Sequence, residues 1–166
     1  MKSRPERLAD LITNLKELIP HNVYILNDNN NHLEITEEDN LENKGLKGVK
    51  IKGINEFYFA FKLDDKDFPF LGKLFNGGAF RKAVDAVVFC HVKGKDYIFL
   101  IELKSNETKG VVKKYKSSKL FLAFLKSTLS EFFKCDVLDS FEVRSILFDK
   151  KPISKGKEVK PRTVEN

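Results

Sequence analysis

The fold of this chain is decided by residues 83–104, which read AVDAVVFCHVKGKDYIFLIELK. Two apolar runs, 83–89 and 97–101, lie on either side of Lys93-Gly94, where the glycine can supply the positive φ that a tight turn needs. Short apolar runs on both sides of such a turn are typical of a β-hairpin. The pattern therefore predicts two adjacent antiparallel strands joined by a two-residue turn.

This hairpin places two acidic residues and a lysine together. With the turn at positions 93 and 94, Val92 faces Lys95 and, counting back along both strands, Asp85 faces Glu102. Side chains alternate along a strand, so Glu102 and Lys104 point to the same side of the sheet. Two neighbouring carboxylates repel each other unless a cation or a proton lies between them. Because hard oxygen ligands suit Mg²⁺ or Mn²⁺, the hairpin predicts a divalent-cation site at one end of one sheet face.

The composition indicates a single domain with a substantial core. The chain has 166 residues, of which 42% are hydrophobic and 15 are phenylalanine. Cys90 and Cys135 lie far apart, without a CxxC motif or a nearby histidine pair, so we expect reduced thiols and no zinc site. No apolar run approaches the ~20 residues that cross a bilayer, and residues 1–7 do not resemble a signal peptide. We therefore expect a cytoplasmic protein with no membrane partner.

Positive charge is concentrated in the second part of the chain. Residues 1–103 contain 15 Lys and Arg against 16 Asp and Glu, whereas residues 104–166 contain 15 against 8. A basic surface beside a carboxylate pair suits a polyanion that must approach a metal ion. A lysine-rich surface that serves only solubility would give the same count, so the charge alone leaves both interpretations open.

Hydrophobic periodicity outside the hairpin predicts two helices and several strands. The first helix covers 5–19, with Ser3 as its N-cap and Pro20 after its end. The second covers 108–134. Its predicted buried face consists of Val111, Tyr115, Leu122, Leu125, Leu129 and Phe132. The predicted strands are 23–26, 49–52, 56–63 (returning after a turn at Gly53) and 141–148. Residues 36–44 are predicted to be a polar loop, and residues 64–78 a short helix or a packed loop.

The order of these elements predicts an α/β fold. A strand, a long helix and a further strand imply a crossover connection and hence a parallel pair within a mixed sheet. We expect helices on both faces of that sheet. Residues 1–149 should form one domain, and the basic tail 150–166 should be either a mobile arm or a segment packed by its few apolar residues.

The hairpin and its neighbours resemble the PD-(D/E)xK nuclease superfamily, also called restriction-endonuclease-like. The matching residues are Asp85 at the head of one strand and Ile101-Glu102-Leu103-Lys104 at the end of the next. The family core, αβββαβ, runs helix, three-strand meander, helix, strand, as predicted here. The resemblance covers residues 80–148, and the first helix more loosely.

The resemblance implies a fold, a chemistry and roles for residues. In such proteins the residues matching Asp85 and Glu102 bind Mg²⁺ or Mn²⁺, and the carbonyl matching Leu103 serves as a further ligand. The lysine matching Lys104 positions or polarises the attacking water. The implied activity is hydrolysis of phosphodiesters in DNA, with RNA as the alternative substrate, in restriction, phage defence or DNA repair. Since the chain is small, a homodimer or a partner subunit would supply specificity.

The chain departs from the family pattern at several positions. Many relatives have a proline before the first acid, whereas Val84 stands here, and the chain contains no glutamine for the helix position that some subfamilies use. Lys116, Lys119 or the Tyr115 hydroxyl could take that place. Similar proteins also add an acid from the first helix. Glu6, Asp10 and Glu17 are the candidates.

Several residues have alternative interpretations. Lys113, Lys116 and Lys119 are candidate nucleic-acid contacts, or else a solvated helix face. Asp85 could instead pair with a nearby cation, and Glu102 with Lys104 as an ion pair worth little. The histidines are interpreted as structural or loop residues, namely His21, His32 and His91. The alternative function is a catalytically silent module of the same fold that binds nucleic acid or protein. A third possible function is that of a toxin-antidote or inhibitor protein, which would use the basic tail 150–166 for contacts with another protein.

Overall fold

The computed structural model describes residues 3–28, 32–36, 48–54, 56–64, 82–104, 110–149 and 162–163. The helices are α1 (Arg4–Leu18) and α2 (Val111–Phe133), with short 3₁₀ helices at His21–Val23 and Val137–Ser140. The strands are β1 (Leu33–Thr36), β2 (Gly48–Ile51), β3 (Glu56–Lys62), β4 (Ala86–Val92), β5 (Lys95–Lys104), β6 (Glu142–Asp149) and β7 (Arg162–Thr163). In this part of the chain no helix combines the length and apolarity needed to span a bilayer.

The strands form a mixed sheet in the order β3-β4-β5-β6-β7, beside a separate antiparallel pair β1-β2. Strands β3, β4 and β5 are an antiparallel meander, and α2 connects β5 to the parallel strand β6. The two-residue strand β7 pairs antiparallel with β6 at Ile146 and Leu147. The α/β class, the mixed sheet and its parallel pair are therefore confirmed.

The predicted hairpin register is observed. Val92 pairs with Lys95, and the pairing continues without a shift to Ala86 and Ile101. Lys93 and Gly94 have φ angles of 50° and 83°, as the two central residues of a tight hairpin turn require. Strand β4 begins at Ala86 rather than at the predicted position 83. The last residue pair between β4 and β5 is Ala86 with Ile101, so residues 83–85 have no paired partner in β5. Asp85 thus directly precedes β4.

Both helices pack against the same face of the sheet. Strand side chains alternate between the two faces, and the residues that meet α1 and α2 form one core cluster. From the strands this cluster takes Phe59, Phe61, Val87, Phe89, Ile98 and Leu100. The opposite face packs against Leu33 and Ile35 of β1 and against Ile25 and Ile54. The expectation of helices on both faces is therefore wrong for the described residues, since the β1-β2 pair covers the second face.

Other elements differ from the sequence-based prediction in detail. Residues 23–26 form no strand, because Tyr24 makes a single bridge to Phe61 after a 3₁₀ turn. β1 was not predicted. It alternates buried and exposed residues over four positions and takes β2 as its partner, so β3 does not return on β2. Phe132 is 81% exposed, whereas Phe133 packs against the core, because a helix turns by about 100° per residue.

The helix boundaries follow their local signals. α1 ends at Leu18, one residue before its predicted C-terminal end. At its N-terminus, Glu6 accepts a hydrogen bond from the Ser3 backbone N–H at 2.7 Å, which caps the helix. α2 begins at Val111 after Gly110, whose φ is 87°. The predictions for 36–44, 64–78 and 150–166 fall almost wholly outside the described residues, as does the proposed start of the second helix at 108. Of the predicted tail, only Arg162–Thr163 is described, as strand β7.

Asp96 ties α1 to the hairpin near its turn. Its Oδ1 atom accepts hydrogen bonds from Arg4 Nη2 at 2.7 Å and from the Tyr58 hydroxyl at 2.9 Å, and lies 2.7 Å from His91 Nδ1. Burial acts to raise the pKa of Asp96, but hydrogen bonds from Arg4, His91 and Tyr58 outweigh it and hold the pKa below its ordinary value. The cluster fixes the start of α1 against three strands, β3, β4 and β5.

We expect Asp96→Asn to lower the free energy of unfolding at pH 7 by about 2 kcal/mol, since three donors lose a charged acceptor. The folded pKa is lower than the unfolded value of about 3.9. The stabilisation is therefore complete above the unfolded pKa and is lost as the pH falls through the folded one. Urea denaturation at pH 7 and at lower pH values checks this, with exposed Asp136→Asn as control. A wild-type-to-variant difference that stays constant as the pH falls would contradict it.

Candidate functional site

Four elements meet at the end of the sheet that lies opposite the hairpin turn. Asp85 precedes β4, Glu102 and Lys104 end β5, and Lys114 lies in the first turn of α2. Asp64, just after β3, contacts Lys114. We call these five residues the acidic site.

Asp85 is held in place by backbone and side-chain contacts. Its Oδ2 atom accepts the Leu103 N–H at 2.5 Å, and its carbonyl accepts the Leu63 N–H at 3.2 Å. The preceding Val84 N–H donates to the buried Ser118 hydroxyl of α2 at 3.0 Å. Burial raises the pKa of Asp85, while the Lys114 ammonium and the Leu103 N–H act in the opposite direction. The carboxylate is therefore fixed beside β5, in the register that the hairpin predicts.

Glu102 is fully buried at the end of a strand. Its Oε1 atom lies 3.1 Å from Lys104 Nζ and 3.0 Å from Lys114 Nζ. Burial, and then the charge of Asp85, raise the pKa of Glu102, against the influence of the two ammonium groups. A buried carboxylate carries a large desolvation cost unless it is paired or used. The burial of Glu102 therefore indicates that its carboxylate is either paired by the two lysines or used to bind a ligand.

The buried polar atoms without a hydrogen bond are concentrated at this site. Among the described residues they are the carboxylate oxygens of Glu102, of which Oε1 contacts the ammonium groups of Lys104 and Lys114, and the Tyr115 hydroxyl. Burial and the charges of Glu102 and Asp85 raise the pKa of Tyr115, so its hydroxyl remains a protonated donor. Native proteins leave few such atoms unsatisfied. Their concentration here indicates a site that can accept a further ligand.

Lys114, like Asp64, is a site residue that the sequence-based prediction missed. Its Nζ atom lies 3.0 Å from Glu102 Oε1, 3.7 Å from Asp85 Oδ1 and 3.3 Å from Asp64 Oδ2. Burial acts to lower the pKa of Lys114, but the carboxylates outweigh it and raise the pKa above its ordinary value. The signal was its spacing, since Lys114 follows Val111 by three residues and therefore shares the buried face of the helix.

The other predicted residues do not join the acidic site in the described part of the chain. Lys113 and Lys116 are exposed on α2, and Lys119 is half-buried one turn further on. Glu6 caps α1, Asp10 borders a groove between α1 and the end of α2, and Glu17 is exposed.

The predicted histidines also lie away from the site. His32 pairs with Asp28, and His91 belongs to the Asp96 cluster. His21 is exposed in the 3₁₀ turn after α1.

The two carboxylates of the acidic site are oxygen ligands of the kind that hard divalent cations take in proteins. Asp85 and Glu102 bring two carboxylates together, and the Glu102 oxygens lack hydrogen bonds from the described residues. No group of three or more His, Cys, Asp or Glu that could hold a metal occurs across the described ranges. A divalent ion here would use two carboxylates, with the Leu103 carbonyl, water or substrate oxygens as further ligands, as Mg²⁺ often does.

The fold and the site can be compared with those of known proteins. No protein-family model, no curated protein and no solved structure matches this chain. The resemblance to the PD-(D/E)xK nucleases therefore rests on Asp85, on Glu102-Leu103-Lys104 and on the order of the elements.

Proposed function

We propose that this chain is a divalent-metal-dependent nuclease with a restriction-endonuclease-like core, acting on DNA in defence or repair. The observation that carries the proposal is the convergence of Asp85, the fully buried Glu102 and Lys104 at one end of the β3-β4-β5 meander. Burial of an acid beside a second acid is costly. Such an arrangement is typical of sites where the charges serve binding or catalysis.

The topology supports the same proposal. Apart from β1 and β2, which lie between α1 and β3 in the chain, the order α1, β3-β4-β5 meander, α2, β6 follows the helix, three-strand meander, helix, strand of the nuclease core. Asp85 directly precedes β4, and the Glu102-Leu103-Lys104 segment ends the adjacent strand β5. The placement of both helices on one face of the sheet is a departure from the flanking helices that the resemblance implies.

Each residue has a physical role in the proposed reaction. Asp85 and Glu102 would hold the metal ion, which lowers the pKa of water and neutralises developing negative charge when bound. The Leu103 N–H keeps Asp85 oriented toward β5. Lys104 is more exposed than Glu102, so its ammonium would contact the phosphate at the mouth of the site. There it supplies a fixed positive charge where the transition state gains negative charge.

The distribution of positive charge supports a nucleic-acid substrate. α2 starts at the acidic site, and Lys113 and Lys116 are exposed along it. Lysines beside a cleavage site can contact successive phosphates without reading sequence. We expect them to contribute affinity that weakens as the salt concentration rises.

The test is cleavage of plasmid DNA, single-stranded DNA and RNA in Mg²⁺ or Mn²⁺, against the same reactions in EDTA. We expect cleavage of DNA only with the metal, and rates about 100-fold lower for Asp85→Ala and for Lys104→Ala. Lys52→Ala, which changes an exposed lysine outside the acidic site, serves as the control. Cleavage that survives both site changes, or that proceeds in EDTA, would rule out the proposed function.

A second candidate is a catalytically silent binding module of the same fold. Lys114 favours it, because its ammonium already supplies a cation to both Asp85 and Glu102. A silent module would bind DNA in a filter or gel assay without cleaving it in Mn²⁺. Binding without turnover across all the substrates above would therefore favour this candidate.

A further inference from the structure

Lys114 occupies the position that a metal ion would compete for. Its ammonium contacts both proposed metal ligands and also Asp64, and its side chain is only 12% exposed. By contrast, Lys104 contacts Glu102 alone among the ion pairs of the acidic site that the structure describes. The two lysines thus play different parts in the site.

We propose that Lys114 is a displaceable counter-ion, which holds Asp85 and Glu102 together in the free protein and moves toward Asp64 when a divalent ion binds. This inference rests on the proposed function, because it assumes that these two carboxylates take the ion. Lys114 would then compete with the metal ion for the two carboxylates, and Asp64 would accept the ammonium group when the ion binds.

The distances make the two cations compete. Lys114 Nζ lies 3.0 Å from Glu102 Oε1. Since Mg²⁺ binds oxygen at about 2.1 Å, an ion on that oxygen would lie within about 5 Å of the ammonium unless the lysine moved. Like charges at that separation repel strongly in a buried site, where solvent screening is weak. Binding of the divalent ion is therefore disfavoured while the Lys114 ammonium stays in its present position.

The charge balance of the acidic site leads to the same conclusion. With every group ionised, Asp64, Asp85 and Glu102 against Lys104 and Lys114 leave a net charge of −1. Adding a divalent ion changes the net charge to +1, whereas without the Lys114 charge the site would become neutral. Removal of that charge should therefore favour the ion.

Asp64 is suited to receive the displaced ammonium. Its carboxylate is 46% exposed and lies 3.3 Å from Lys114 Nζ on the solvent side of the site. The neighbouring Leu63 N–H donates to the Asp85 carbonyl, which fixes the end of β3 beside the site. A lysine side chain is flexible enough to exchange one carboxylate for another while its stem stays packed.

The test is direct Mn²⁺ binding, measured by calorimetry or by electron paramagnetic resonance, without nucleic acid. We expect Lys114→Gln to bind Mn²⁺ at least about tenfold more tightly than wild type, and Asp64→Asn to bind it more weakly. Lys114→Arg keeps the charge and should gain nothing. Lys52→Gln removes the same charge from an exposed lysine outside the acidic site and should match wild type. The double variant Lys114→Gln/Glu102→Gln should lose the gain, which assigns the ion to Glu102.

The outcomes separate this inference from the proposed function. If wild type binds Mn²⁺ and cleaves DNA but Lys114→Gln binds no more tightly, the counter-ion role is wrong and the nuclease proposal stands. Absence of Mn²⁺ binding in wild type and in every variant would overturn both. If Lys114→Gln does not fold, Asp64→Asn decides, because affinity equal to that of wild type would exclude transfer to Asp64.

Discussion

Glu102→Gln is expected to abolish metal-dependent cleavage, with the single-turnover rate on plasmid DNA falling by at least about 1,000-fold. The amide keeps the shape of the side chain but carries no charge, and a neutral amide is a poor ligand for a hard divalent cation. Glu102 is fully buried, and its Oε1 atom contacts the ammonium groups of Lys104 and Lys114. Solvent therefore cannot easily supply a substitute ligand at that position.

The loss of activity should not be accompanied by unfolding. The substitution removes the repulsion between two neighbouring acids, so we expect a thermal unfolding temperature equal to or above that of the wild type. Glu34→Gln makes the same chemical change at an exposed position of β1 and should leave the rate unchanged. Cleavage by Glu102→Gln at the wild-type rate would remove Glu102 from the mechanism.

Phe89→Ala is expected to cause the largest loss of stability, about 3–5 kcal/mol in the free energy of unfolding. Phe89 is fully buried at the centre of β4. Its ring centroid lies 6.5 Å, 6.4 Å and 6.2 Å from those of Phe59, Phe61 and Phe141. Truncation leaves a cavity between strands and helices that rigid neighbours cannot fill. Urea denaturation at pH 7 measures the loss.

Phe132→Ala provides a matched control, because it removes the same atoms from a side chain that is 81% exposed. We expect a change within about 0.5 kcal/mol. A loss similar to that of Phe89→Ala would mean that Phe132 is covered in solution. The comparison also tests the correction of the predicted buried face of α2.

Local sequence signals were sufficient to predict the β4-β5 hairpin and the helical crossover to the parallel strand β6. Lys93-Gly94 can adopt the two positive φ angles, and the apolar runs around it leave one register that keeps both strands buried. A long amphipathic segment between two apolar strands then requires a crossover helix. These inferences concern neighbours in sequence, so they do not depend on how distant parts of the chain pack.

The layer arrangement could not be predicted in the same way. The central strands are apolar on both faces, as in Val87 and Val88 of β4, so their sequences do not identify which element covers which face. The pairing of β1 with β2 joins segments that are separated by residues 37–47. Long-range choices of this kind are decided by packing rather than by local propensity.

The residues of the acidic site also fall into two groups, those that local sequence predicts and those that tertiary packing brings in. The register of one hairpin brought Asp85 to Glu102, whereas Lys114 and Asp64 come from a helix and a strand end whose positions depend on tertiary packing. The positive charge of α2 was visible in the sequence, but the lysine that faces the site differs from those predicted, Lys113, Lys116 and Lys119. Spacing relative to Val111 would have distinguished it.

The length of the turn at Lys93 and Gly94 has a consequence for how this protein can change during evolution. Surface turns ordinarily accept added residues at little cost. Here seven consecutive residue pairs connect the turn to the site, a span of about 20 Å. One inserted residue that shifted the register would turn every side chain of one strand to the other face. Insertions at this turn are therefore restricted to those that leave the pairing intact, although the turn itself has no part in the chemistry.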